Sequence, residues 1–273
     1  MVSIPLVRFV LTAAFRDKLL TTLLLMVAAG AGVSIFLGGA TVTEKASFAL
    51  VFGAGGLRFL GVVGIVLFCC FYVRRCFETK EVEFLLSRPI SRMSFLLSHG
   101  TAFILLAAGV SLLISTAVFF LGKPQLDGFL LWSLSFAVEC AVMAVAALFF
   151  SMVLSSAAGS ALATLGLYVL ARLTGMLLGI AGQPPEGPVF AVLNNAMEAI
   201  SVLIPRLDLM GQTSWLVYGV EGAGGIGFSE QAGMLAHKLV EVLGLGGFIT
   251  LQGALSIFIF MSAAAFDFLR REF

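Results

Sequence analysis

The chain has 273 residues, of which 60% are hydrophobic and only 11% charged, and its mean hydropathy is +1.10. A soluble domain carries about a quarter charged residues, so this composition excludes a protein that covers itself with a polar surface and favours one dissolved in a bilayer. The formal net charge of +1 argues against a nucleic-acid partner, because binding nucleic acid requires a basic face.

The N-terminal residues 3–18 have the pattern of a helix that lies on the inner membrane surface. One helical face carries the apolar side chains Leu6, Phe9, Val10, Ala13 and Ala14. Arg8, Arg16 and Lys18 can reach the lipid headgroups, so we predict an interfacial helix here. The next apolar run is longer than the core of a typical signal peptide, and we predict that it is retained as the first span.

Six apolar runs are long enough to cross the hydrocarbon core, which takes about 20 residues of helix. They cover approximately residues 19–39, 57–73, 95–121, 129–154, 157–182 and 246–268. The segment 48–56 is apolar but interrupted by glycine, so the second span either begins earlier or follows a short interfacial piece. We predict an all-α integral membrane protein in which residues 1–273 form a single transmembrane domain.

Residues 183–245 form a long segment between the fifth and sixth predicted spans. The prolines of QPPEGP end the fifth span, and the rest of the segment is too polar to cross the membrane and too apolar for a free loop. We expect short helices that lie at, or re-enter, the membrane face opposite the termini. The string GAGGIG at 222–227 has dinucleotide-binding spacing, but no βαβ unit surrounds it, so we interpret it as a loop.

The distribution of Lys and Arg predicts the orientation of the chain. With an even number of spans both termini share one side, and that side holds ten basic residues: Arg8, Arg16, Lys18, Arg74, Arg75, Lys80, Arg88, Arg92, Arg270 and Arg271. The other side holds four: Lys45, Lys123, Arg206 and Lys238. Basic residues concentrate in cytoplasmic loops, so we predict that both termini are cytoplasmic.

The residues that usually carry catalysis or bind metals are scattered. The four cysteines (Cys69, Cys70, Cys76 and Cys140) lack zinc or redox spacing and are interpreted as buried apolar side chains. His99 and His237 lie far apart, and the nucleotide-binding pattern G-x-x-x-x-G-K-[ST] does not occur. We therefore expect that this chain is not an enzyme, hydrolyses no nucleotide and carries no cofactor or metal of its own.

Two charged residues fall deep inside predicted spans. Glu139 and Arg172 lie at a similar depth, roughly 15 Å from the outer ends of the fourth and fifth spans at 1.5 Å per residue. Charges inside a bilayer are costly and usually paired, so these two can form an ion pair between neighbouring helices. Such a pair either fixes the helix register or lines a substrate path. Arg58 lies nearer the outer end of its span and can snorkel to the interface, so it is given less weight as a site residue.

The stretch from Arg74 to Arg92 joins the second and third spans and holds eight charged residues. Its segment FETKEVEFLLS can form about three turns of helix that Pro89 ends, and Ser91 is placed to cap the third span. Anionic lipids would repel its three glutamates, and its apolar side chains are too spread for a surface helix in water. A helix that docks on a partner protein is slightly favoured over one on the membrane surface.

The string ETKEVEFLLSRPISRMSFLLS resembles the first cytoplasmic loop of ABC-2 type transporter permeases. Members of that family carry here an acidic, leucine-containing helix followed by an S/T-x-P-[IVL]-x-R turn. The interfacial helix, the six spans, the long outer segment and the basic tail FLRREF are also similar to the family. Within it, the chain looks closest to permeases associated with multicopper-enzyme maturation, such as the nitrous-oxide reductase accessory permease.

The resemblance implies a permease subunit of an exporter in the bacterial inner membrane. Two permeases, identical or different, would form the pathway, and two separate ATPase subunits would bind ATP and Mg. Residues 77–87 would then be a coupling helix seated on the ATPase, followed by a turn at 88–92. The contact residues would be Phe77, Glu78, Glu81, Glu83, Phe84, Leu85, Leu86, Arg88, Pro89 and Arg92.

Two other functions stay open from the sequence. One is a membrane assembly or scaffold protein that docks a partner other than an ATPase through the same loop. The other is a membrane-integral enzyme of lipid metabolism, for which the chain offers only the scattered polar residues His99, Asp127 and Asp208.

Overall fold

The computed structural model describes residues 2–40, 44–79, 91–181, 205–223 and 233–270, and these residues form helices and short connections without a β-strand. The described helices are α1 (Ile4–Arg16), α2 (Leu19–Ala40), α3 (Lys45–Glu78), α4 (Arg92–Leu121), α5 (Leu126–Val153), α6 (Ala157–Ala181), α7 (Leu207–Met210), α8 (Trp215–Ala223) and α9 (Gly233–Arg270). Six of them, α2 to α6 and α9, are long and apolar enough to cross a membrane. The described part of the chain is therefore all-α, and its six long apolar helices indicate a multi-pass membrane protein.

Helix α3 settles where the second span begins. It starts at Lys45, so the glycine-interrupted segment 48–56 belongs to the spanning helix itself. Two of its glycines are contact points between helices: a Cβ at Gly53 would lie 3.0 Å from Ser34 Oγ, and one at Gly61 would lie 2.6 Å from Ile114 Cδ1. Glycine weakens a helix interior by roughly 0.5–1 kcal/mol relative to alanine, but close packing of neighbouring helices offsets this effect.

The other end of α3 changes the predicted boundary of the coupling helix. The 34 residues of α3 make a helix of about 51 Å, longer than the hydrocarbon core of about 30 Å. Phe77 and Glu78 form its last turn, so they extend the second span and do not begin a separate helix. The ion pair between Arg74 and Glu78, four residues apart, stabilises this turn, and Thr79 is its C-cap. Residues 80–90 of the predicted coupling helix and turn lie outside the described residues.

The N-terminal helix α1 packs its apolar stripe against the start of α4. The buried residues are Leu6, Val7, Val10, Ala13 and Ala14, and the backbone N–H of Ser3 donates to Ser98 Oγ at 2.8 Å. Phe9, predicted on this face, is 47% exposed, and Val7 takes its place. Successive residues turn by about 100° around the helix axis, so Phe9 lies some 100° from the centre of the buried stripe.

Helix α5 forms the centre of the bundle and packs against α3, α4, α6, α8 and α9. Its fully buried side chains include Trp132, Phe136 and Met143, and the run from Ala144 to Ala147 is also buried. By contrast α2, α6 and α9 present large exposed apolar residues such as Phe36, Met176 and Phe258. In a membrane such faces contact lipid tails, which are as apolar as the side chains.

The two ends of the bundle are distinct. We call one of them the terminal end. There Arg92 Nη1 donates to the carbonyl of Leu269 at 3.4 Å, close to the place where α1 packs on α4. Both described ends of the chain therefore lie at the same end of the bundle. We call the other one the opposite end, and there the N–H of Gln125 donates to the carbonyl of Leu216 at 3.0 Å.

Two short helices from the predicted outer segment cover the opposite end. Helices α7 and α8 pack on the bundle, and the N–H of Val220 donates to Asp127 Oδ2 at 2.9 Å. A side chain at Gly128 would overlap the carbonyl oxygen of Trp215, so glycine permits this close approach. Residues 182–204, which hold the start of that segment, lie outside the described residues.

The last helix is longer than the sixth predicted span. It begins at Gly233 instead of residue 246, and it bends at Gly244, where φ is 70° and ψ is 165°. This backbone conformation is open to glycine at little cost and strained for other residues. The part after Gly244 is the predicted span, and the part before it belongs to the outer segment.

Candidate functional site

Three helices bring charged side chains together inside the bundle. Glu139, in the middle of α5, is completely buried, and each of its carboxylate oxygens accepts a hydrogen bond from a different arginine. Arg58 of α3 donates from Nε to Oε2, and Arg172 of α6 donates from Nη2 to Oε1 at 2.6 Å. We call Arg58, Glu139 and Arg172 the charge cluster. The two residues singled out from the sequence, Glu139 and Arg172, are thus in direct contact.

Arg58 is the member that the sequence placed wrongly. Its side chain is only 2% exposed, and its Nη2 donates to the carbonyl of Met210 at 2.7 Å and to Ser135 Oγ at 3.3 Å. The guanidinium also lies 5.4 Å from the centre of the Trp132 ring, a cation–π distance. Because α3 starts at Lys45, Arg58 lies more than three turns (about 3.6 residues each) inside the helix, and its side chain bonds within the bundle instead of extending to the interface.

Arg172 occupies the edge of the cluster. Its side chain is 25% exposed, its Nε donates to the hydroxyl of Tyr168 at 3.3 Å, and its guanidinium lies 5.5 Å from the centre of that ring. A side chain at Gly211 would overlap the guanidinium, so the backbone after α7 lies directly on Arg172. At the opposite end of the bundle, the backbone at Gly211 therefore covers part of the Arg172 side chain.

A second buried ion pair lies in the covering segment. Arg206 Nη2 donates to Asp208 Oδ2 at 2.8 Å, and both side chains are less than a tenth exposed. A side chain at Gly175 would overlap the Asp208 carboxylate, which places this pair against α6. Sequence reasoning counted Arg206 only as a basic residue of the outer side; the R-x-D spacing is the signal that could have shown the pair.

The charge cluster is a buried network of ion pairs that connects α3, α5 and α6. Moving each ion out of water costs several kcal/mol, and only close pairing offsets that cost in a low-dielectric interior. Within the cluster, two arginines face one carboxylate, so the net formal charge is positive. Fixed charges of this kind can lock helices together or receive an anionic group. The histidine of the described spans is not part of the cluster, since His99 bonds the carbonyl of Phe95 at 3.0 Å within its own helix.

Of the charged stretch from Arg74 to Arg92, only the two flanks belong to the described residues. Arg75 Nη2 donates to Asp17 Oδ2 at 2.6 Å, which ties the end of α3 to the connection between α1 and α2. On the far flank Ser91 Oγ accepts from the N–H of Ser94 at 3.2 Å and caps α4, as predicted. Arg92 is the first residue of α4. The remaining candidates, Glu81, Glu83, Phe84, Leu85, Leu86, Arg88 and Pro89, lie outside the described residues.

The four cysteines are buried and free, as expected for small apolar side chains: Cys69, Cys70, Cys76 and Cys140. In the part of the chain that the structure describes, no three His, Cys, Asp or Glu side chains are placed to hold a metal ion. Asp127, one of the scattered residues considered for an enzyme, ties α8 to the start of α5 instead.

Comparison with protein-family models finds no match to this chain, and comparison with curated proteins finds none either. Proposals about function therefore rest on the chain's own residues and on the resemblance of its Glu78–Ser98 stretch.

Proposed function

We propose that this chain is the membrane-spanning permease subunit of an ABC-2 type exporter, which acts with separate ATPase subunits. The observation that carries the proposal is the charged stretch between α3 and α4, whose described flanks lie at the same end of the bundle as both described chain ends. A multi-pass helical bundle with one strongly charged loop at that end suits a protein that receives force from a soluble partner. The FETKEVEFLLSRPISR pattern supports an ATPase as that partner.

The proposed partners follow from the resemblance. Two ATPase subunits bind ATP and Mg at the cytoplasmic face of a bacterial inner membrane. A second permease, either another copy or a different chain, completes the pathway. The ten basic residues on the terminal side support a cytoplasmic location for that end.

The length of α3 supports a route by which the loop can act on the interior. Arg58 and Glu78 belong to one uninterrupted helix and are about 30 Å apart along its axis. A push on the loop tilts this helix as a rigid body. The bonds of Arg58 and Arg172 to Glu139 then carry this motion from α3 to α5 and α6.

Purification from native membranes tests this proposal. The full chain is isolated in mild detergent, and stoichiometric companions are identified by mass. We expect an equimolar soluble protein with a Walker lysine motif. The charge reversal Glu81→Lys with Glu83→Lys is expected to release that protein, because it inverts the charge of the docking helix. Glu44→Lys, an exposed change at the opposite end, is the matched control and retains the partner.

Two results would contradict the permease function. The chain could come out alone, or it could come out with a partner that lacks nucleotide-binding motifs. The second result would favour the assembly or scaffold protein that docks through the same loop.

A further inference from the structure

A groove of about 580 Å³ runs between α4 and α5 near the opposite end of the bundle. Small side chains line its floor, including Ala108, Ser111, Ser115, Ser133 and Ala137. Its rim carries large apolar side chains that are well exposed: Leu112, Phe119, Phe120 and Leu130. The groove is within the size range of small-molecule sites, about 300–1,000 Å³, and it faces the lipid side of the bundle.

Two serine hydroxyls of this groove differ from the others in their hydrogen bonding. Ser115 Oγ and Ser133 Oγ are shielded from solvent and have no hydrogen-bond partner among the residues that the structure describes. Other hydroxyls of the groove bond to their own helix: Ser111 Oγ donates to the carbonyl of Ala108 at 2.9 Å, and Thr116 Oγ1 donates to that of Leu112 at 2.8 Å. A buried hydroxyl without a partner is unfavourable, so a bound molecule that offers an acceptor atom would stabilise it.

The depth of these hydroxyls indicates which chemistry can satisfy them. Ser115 lies about 9 Å from the end of α4, and Ser133 about 10 Å from the start of α5, at 1.5 Å per residue. A bilayer about 40–45 Å thick with a 30 Å hydrocarbon core has interfacial layers of roughly 5–8 Å on each side. With the helix ends at the outer edge of that layer, both serines lie within roughly 5 Å of the boundary between headgroups and acyl chains. This is the depth of the ester groups of glycerolipids.

We propose that this groove binds one acyl chain of a glycerolipid, whose ester carbonyl oxygen accepts hydrogen bonds from Ser115 and Ser133. Each serine reaches the carbonyl by rotation about χ1, an ordinary change between staggered rotamers. A helix from a second copy fits less well, because close helix packing uses small residues, whereas the rim carries the exposed rings of Phe119 and Phe120. Such a lipid site goes beyond the permease function and does not depend on transport.

Titration with a matched pair of lipids tests the site. The full-length chain is delipidated in detergent and titrated with dioleoyl phosphatidylglycerol or with its diether analogue, and bound lipid is counted by native mass spectrometry. The ether lipid keeps the same headgroup and chains but lacks the carbonyl oxygen. We expect the ester lipid to bind on the order of fivefold more tightly, as one or two hydrogen bonds predict.

Serine variants assign that preference to the groove. Ser115→Ala and Ser133→Ala are each expected to reduce the ester preference, and the double variant is expected to abolish it. Ser111→Ala is the matched control, since its hydroxyl lines the same groove but already bonds to its own helix. Ala137→Phe, which fills the groove, is expected to remove the bound lipid altogether, and gel filtration checks that each variant stays folded.

Three outcomes would overturn the proposal. Equal binding of ester and ether lipids by the unaltered chain would mean that the two hydroxyls satisfy themselves within their own helices. An equal loss in Ser111→Ala and Ser115→Ala would mean a general packing effect. A disulfide between two copies of a Leu134→Cys variant in membranes would mean that a second chain covers the groove.

Discussion

Glu139 bonds to two arginines, and the three side chains of the charge cluster therefore contribute unequally to stability. Arg58 is fully enclosed and has other partners in Ser135 and the Met210 carbonyl, whereas Arg172 keeps a quarter of its side chain exposed. Removing the carboxylate leaves two positive charges close together in a low-dielectric interior. Removing Arg172 leaves Arg58 and Glu139 as an intact pair.

We therefore expect Glu139→Gln to destabilise the protein more than Arg172→Gln does. Breaking a buried ion pair by removing one partner costs about 3–5 kcal/mol, and here the orphaned charges also repel each other. Thermal unfolding in detergent measures the order, with the exposed Glu44→Gln as a control that leaves the melting temperature unchanged. A Glu139→Gln protein as stable as the parent would show that the charge cluster does not hold the helices together.

At the scale of elements, glycine determines how closely helices approach. The sequence left open whether the glycine-interrupted residues 48–56 begin the second span or form a separate interfacial piece, because glycine is a weak helix former. In the structure all three glycines lie inside α3, and Gly53 allows close contact with Ser34 of α2 and Leu121 of α4. The local preference was outweighed by packing, which depends on residues far away in the chain and is not visible in a local window.

The contact between α5 and α8 gives the sharpest test of this role. Gly128→Ala places a methyl group on the carbonyl oxygen of Trp215, a backbone atom that can yield only if α8 moves. We expect a loss of about 1–3 kcal/mol, typical of overpacking. Gly109→Ala in α4 is the matched control, because apart from its own helix backbone no atom of the described residues lies within 4 Å of its added Cβ. Its helix is expected to be unchanged or slightly stabilised, and equal effects of the two changes would refute the steric explanation.

At the scale of the whole molecule, the even number of spans and the contact between Arg92 and Leu269 place both chain ends at one end of the bundle. Which side of the membrane that end faces is predicted from the basic residues alone. The four native cysteines are buried, so a single added cysteine gives a clean label.

A membrane-impermeant maleimide applied to intact cells reads out the orientation. We expect Gln125→Cys, at the opposite end, to be labelled from outside. Thr79→Cys, at the terminal end, is expected to react only after the membrane is permeabilised. The reverse pattern would place both termini outside, and the charged loop would then be out of reach of a cytoplasmic ATPase.

The sequence by itself determined the membrane class, the all-α fold and the six spans, because hydropathy is a local property that adds up along each helix. It also singled out Glu139 and Arg172, since a charge in an apolar run is conspicuous wherever it occurs. Only the tertiary structure decided that Arg58 shares Glu139, that Met210 accepts from Arg58, and that Gly211 lies on Arg172. These contacts join residues up to 152 positions apart, and they depend on the rotation of each helix about its axis and on the path of the outer segment, which local sequence patterns do not specify.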